Sequence, residues 1–134
     1  MKTSLGYNRR LGLCLALVAA LTLGFCWGAA WFVEAESRAL GGEVAAAAEA
    51  AAAEDWPQAL LRLAQAHSQW QDTRRIWLGL MNHQEVSNID LAFDGAAVYL
   101  EQRVQADTLA QLRQLRYYLE LAVESDRLCW HNLF

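Results

Sequence analysis

The sequence predicts an all-α protein with one N-terminal transmembrane helix, followed by an extracytoplasmic bundle of about three antiparallel helices. Three observations lead there. Val, Ile and Thr together number only thirteen of 134 residues, too few for a β-protein, whereas Ala, Leu, Gln, Glu and Arg abound. The chain is 55% hydrophobic with one proline and eight glycines, which excludes collagen-like and low-complexity disorder. Much of that hydrophobicity lies in a single block near the N-terminus.

The block runs from Leu11 to Val33, 23 residues without a charge. At 1.5 Å per residue it spans roughly 34 Å as a helix, enough for a hydrocarbon core of about 30 Å. A cleaved signal peptide has a shorter apolar region ending in small residues. Here the far end carries Trp27, Trp31 and Phe32, aromatics suited to the headgroup boundary. Val33-Glu34-Ala35 resembles a cleavage site only loosely, and neither Cys14 nor Cys26 follows a residue typical of lipoprotein processing. The reading is an uncleaved signal anchor.

Charge sets the expected orientation. Lys2, Arg9 and Arg10 precede the block, while all fifteen acids and eight arginines follow it, a split of +3 against −7. The positive-inside rule places the N-terminus in the cytoplasm and residues 34–134 outside, at the outer face of the plasma membrane. An acidic outer part argues against nucleic acid as a partner. The lipid bilayer is the expected environment of the block. Within it, Gly12, Ala16, Ala20, Gly24 and Gly28 recur every fourth residue. Such small-residue rows let helices approach closely in lipid, so this row is the expected interface for a homodimer or a membrane-protein partner.

The remaining domains follow in order. Residues 1–10 form the cytoplasmic tail and 11–33 the anchor. Residues 34–55 read as an Ala-rich juxtamembrane helical spacer with a hinge at Gly41-Gly42, a thin helix with little side chain to bury. Residues 56–134 make the helical bundle domain. Its first helix opens on Asp55 as N-cap, with Pro57 in the first turn and Gln58 three residues after the cap. From there Trp56, Leu60, Leu63, His67, Trp70, Arg74, Trp77 and Met81 recur by fours and threes, one face of a helix about 25 residues long. The face reads as core with two polar breaks. The sharper alternative makes Trp56, His67, Trp70, Arg74 and Trp77 a groove for an unknown protein partner.

Asn82–Asn88 reads as a turn, with His83 and Glu85 as structural caps of the next helix. That helix carries Val86, Ile89, Phe93, Ala96, Ala97, Leu100 and Val104 on one side. Asp107 then caps a last helix with Leu109, Leu112, Leu115, Leu119, Ala122 and Val123. The apolar tail Leu128–Phe134 is expected to dock back on the bundle.

Chemistry-bearing motifs are not evident. Three cysteines and three histidines show no Cys-x-x-Cys or His-x-x-x-His spacing. There is no Gly-rich phosphate loop and no nucleophile elbow. No catalytic residue, no metal ligand and no cofactor is therefore expected, and the chain is not expected to be an enzyme. An interaction module, scaffold or accessory subunit is the leading function class, with an extracytoplasmic ligand or peptide sensor as the alternative.

Certain short motifs carry a family resemblance. They are the charged N-terminus and span, Trp56-Pro57-x-Ala59, Trp70 with Trp77, Asn82-His83-x-Glu85, Ile89-Asp90 and the terminal Asn132-Leu133-Phe134. In these the chain resembles a domain of unknown function, number 4363. The resemblance implies a small single-anchor membrane protein of Gram-positive, often spore-forming, bacteria, and implies no activity, substrate or cofactor.

Overall fold

The computed structural model describes the backbone from residue 2 to residue 131 and the side chains of residues 8–125. Four α-helices follow one another: α1 (Lys2–Ala52), α2 (Trp56–Leu80), α3 (His83–Gln102) and α4 (Gln105–His131). No strand occurs among the described residues. The chain divides into two compact units between Phe32 and Val33.

In the first unit the apolar residues of α1 are uncovered. Leu11, Leu13, Leu15, Leu17, Leu21, Phe25 and Trp27 are all exposed. Among the described residues this is one helix long and apolar enough, by length and composition, to cross a membrane.

The second unit holds the core, and α1 supplies one wall of it. Val33, Leu40, Val44, Ala47 and Ala51 are buried, and the buried Ser37 hydroxyl donates to the carbonyl of Leu119 on α4 at 2.8 Å. The alanine-rich stretch is helical, as its propensity dictates, but it packs through one face and is not a bare spacer. The reason is spacing: Val33, Leu40, Val44, Ala47 and Ala51 fall on one side of the helix, and α2 and α4 both make contacts with this stretch of α1. Gly41 and Gly42 lie within α1, and neither has positive φ, so the expected hinge is ordinary helix. A Cβ at Gly42 meets nothing within 4 Å. Gly42→Ala is therefore expected to raise stability by about 0.5–1 kcal/mol, the helix-interior penalty of glycine. Loss of thermal stability on that change would restore the hinge.

The contact pairs climb one helix as they descend the next. Glu43 pairs with Arg62 at 3.2 Å and Glu36 accepts from Gln69 at 3.1 Å. Gln105 at the start of α4 donates to the carbonyls of Ala51 and Ala52 at 3.2 and 3.0 Å; the Ala51 carbonyl also accepts from the Glu54 amide at 3.1 Å. α3 packs on both α2 and α4.

Local signals set the boundaries with two corrections. Asp55 caps α2 as expected, accepting from the Gln58 amide at 3.3 Å. The α2–α3 connection is only Met81 and Asn82, shorter than the expected turn over 82–88. Asn82 caps α3 by accepting from the Gln84 amide at 3.0 Å, so His83 and Glu85 lie inside the first helical turn. Asp107 likewise falls within the first turn of α4, which begins at Gln105. On α2 the buried line is Ala59, Leu63, Ala66, Trp70 and Trp77, while Leu60 is exposed. The face is rotated from the expected one because Ala59 and Ala66, too small to stand out in a hydrophobic pattern, sit in the core. The expected docking of the tail Leu128–Phe134 lies outside the described side chains.

Candidate functional site

Between α2 and α3 an aromatic stack gives way to a polar cleft. Trp70 and Trp77, two turns apart, are both fully buried and meet edge-on, with centroids 5.1 Å apart at 75°. Phe93 of α3 lies parallel to Trp70 at 6.4 Å and tilted against the His67 ring at 5.2 Å. At the edge of this stack stands Asp90. Its carboxylate accepts from the Trp70 indole nitrogen at 2.7 Å and from the Arg74 guanidinium, through Nε at 2.9 and 3.0 Å and through a terminal nitrogen at 2.7 Å. A carboxylate gripped by a two-pronged guanidinium fork and an indole is held in one orientation.

Electrostatics follow from that geometry. Partial burial works to raise the Asp90 pKa, but the hydrogen bonds from Arg74 and Trp70, with the charges of Arg74 and His67, carry it below its ordinary value. The hydrogen bond to Asp90, then its charge, raise Arg74 further. Asp90 therefore stays ionised and occupied, which suits it to orienting Arg74 rather than to taking a proton. Outside the pair lies a cleft of about 270 Å³ lined by His67, Gln71, Arg74, Asp90 and Asp94. His67 Nε2 lies 3.1 Å from the Gln71 amide nitrogen. A lining of two carboxylates, one guanidinium, an imidazole and an amide suits the cleft to hydrogen-bonding a polar segment of a partner or ligand. Among the described residues no group of three His, Cys, Asp or Glu is arranged to hold a metal ion.

A family model, Domain of unknown function (DUF4363), matches residues 31–133. The chain belongs to this family. No curated protein and no solved structure matches the chain. The DUF4363 match begins two residues before Val33, where the packed unit starts, and takes in the whole cleft.

In this DUF4363 domain, His67, Trp70, Arg74 and Trp77 are brought together, whereas Trp56 stands half-buried at the opposite end of α2. His83 is exposed and Glu85 half-buried in the first turn of α3; neither lines the cleft. Glu85 there places negative charge near the positive end of the helix dipole. Gly12, Ala16, Ala20, Gly24 and Gly28 are all exposed, and a Cβ built on Gly12, Gly24 or Gly28 meets nothing within 4 Å. Sequence reasoning met Asp90 only within the Ile89-Asp90 motif of the family resemblance and gave it no role beside Arg74. A signal existed, since an arginine on an otherwise apolar helix face needs an acceptor, but several acids were available to supply it. A second opening of about 430 Å³ lies between α1 and α4, floored by Ser37, Gly41, Leu119 and Val123.

Proposed function

We propose that the chain is a membrane-tethered helical interaction module, a scaffold or accessory subunit. In this reading the N-terminus is cytoplasmic and the DUF4363 domain sits at the outer face of the plasma membrane. What carries it is the contrast between the two units. An 18-residue apolar window of α1 is 0% buried, while the residues after Phe32 close a core of their own. A helix so apolar and so uncovered needs lipid or another protein around it. The small-residue row on that helix is the surface through which a second copy or a membrane partner would pack. Binding, rather than catalysis, fits a cleft whose one well-placed carboxylate is taken up by Arg74.

A membrane-impermeant protease or thiol probe on intact cells tests the reading. Residues 34–134 should be reached from outside, and the intact chain should stay with the membrane after alkaline extraction. Protection from outside with attack from the cytoplasmic side would reverse the topology. A mature chain beginning near Ala35 would make the apolar helix a removed signal. The cleft at His67 and Arg74 favours, as a second reading, a ligand or peptide sensor that acts through a partner.

A further inference from the structure

The three helix–helix turns of the domain differ in chemistry according to the end at which they lie. The α1–α2 turn contains Glu54 and Asp55, and the α3–α4 turn contains Arg103. Gln105 bonds the carbonyls of Ala51 and Ala52, so these two polar turns share the end far from Val33. The α2–α3 turn lies at the other end. Glu36, three residues after Val33, bonds Gln69 of α2, and α2 then runs eleven residues further in that direction, about 16 Å. The segment it delivers reads Ile76-Trp77-Leu78-Gly79-Leu80-Met81, without a charge.

Turns at a water-exposed surface are ordinarily polar, because their backbone and side chains face solvent. This one is not, and it is not hidden. Ile76 is 48% exposed, Gly79 is exposed, and Leu78, Leu80 and Met81 are half-buried. Polar residues begin immediately on either side, at Arg75 and at Asn82-His83. An apolar tip with a polar collar is the pattern of a segment resting in a bilayer interface. Its end of the domain is also the one at which the chain arrives from the apolar helix through Val33. α4 returns to that end as well, since the Leu119 carbonyl accepts from Ser37.

We infer that the α2–α3 turn, Ile76–Met81, is a lipid-contacting tip that rests in the interfacial layer of the membrane holding α1. The inference rests on the membrane-anchor reading above and adds a second point of attachment, which would fix the tilt of the domain and the direction in which the cleft opens.

The test is spin-label accessibility in the full chain, reconstituted in nanodiscs of zwitterionic phospholipid. With Cys14→Ala, Cys26→Ala and Cys129→Ala in place, single labels are put at Gly79→Cys, Leu17→Cys or Val98→Cys. A Cβ at Gly79 meets nothing within 4 Å, and Val98 is exposed on α3. Unchanged circular dichroism and melting confirm that each variant is folded. The Gly79 label should collide more with oxygen than with a water-soluble nickel chelate, as the Leu17 label does, and the Val98 label should show the reverse. A Gly79 label that behaves like Val98, with Leu17 still in lipid, overturns the inference and leaves the anchor standing. A Gly79 label shielded from both reagents means that protein covers the tip, and also overturns it. If the Leu17 label is itself aqueous, the anchor reading falls and the inference with it.

Discussion

Trp70→Ala is expected to destabilise the domain by about 3–5 kcal/mol, the range for truncating a large aromatic in a packed core. Trp70 is fully buried between Trp77 and Phe93, and its indole nitrogen is hydrogen-bonded to Asp90. A domain of this size has roughly 5–15 kcal/mol to lose, so the melting transition should fall visibly or vanish. Phenylalanine variants separate packing from hydrogen bonding. Trp77 is equally buried, but its indole nitrogen has no partner among the described residues. Trp77→Phe should therefore cost less than Trp70→Phe, which strands the Asp90 carboxylate without one donor. Thermal melts of the four variants decide it. An unmoved transition in Trp77→Ala, together with loss of a co-purifying protein, would make this face a binding site rather than core.

Asp90→Ala should cost on the order of 1–3 kcal/mol, because the buried Trp70 N–H loses its acceptor. It should also free Arg74 from the orientation that frames the cleft. The acid limb of stability carries a separate signature. The Asp90 pKa is lower in the folded protein than its ordinary value of 3.8. Its contribution is therefore fully present above about pH 4 and is lost as pH falls through the lowered folded value. Asp90→Asn keeps an acceptor for Trp70 but cannot titrate. Unfolding measured from pH 7 down to 3 should thus fall less steeply in Asp90→Asn than in the wild type. Parallel curves would show that the Arg74–Asp90 pair adds nothing to stability in solution.

Some of this was legible one residue at a time. Asp55 announces the start of α2 because a side-chain acceptor before Pro57 satisfies amides that the helix cannot, and the structure places that hydrogen bond where it was expected. The seven-residue interval between Trp70 and Trp77 puts them on one side of any helix, whatever lies opposite. His83 and Glu85 were misplaced by a turn's width because Asn82, His83, Ser87 and Asn88 all suit a helix start. Only the geometry of the Asn82 side chain on the Gln84 amide selects one of them.

The sequence by itself determined the properties that belong to a single helix: an unbroken uncharged run, helix propensity, caps, and which residues share a face. Tertiary structure decided what those faces meet. Nothing local distinguishes a bare alanine helix from one whose Val44, Ala47 and Ala51 are covered, because burial is a property of the neighbours. The same holds for Ala59 and Ala66, which carry too little apolar surface to announce a core face, yet lie where helices meet. Asp90 became the partner of Arg74 and Trp70 because α2 and α3 pack in one register, bringing together groups sixteen and twenty residues apart. Periodicity fixes direction around a helix axis; only packing supplies the distance across it.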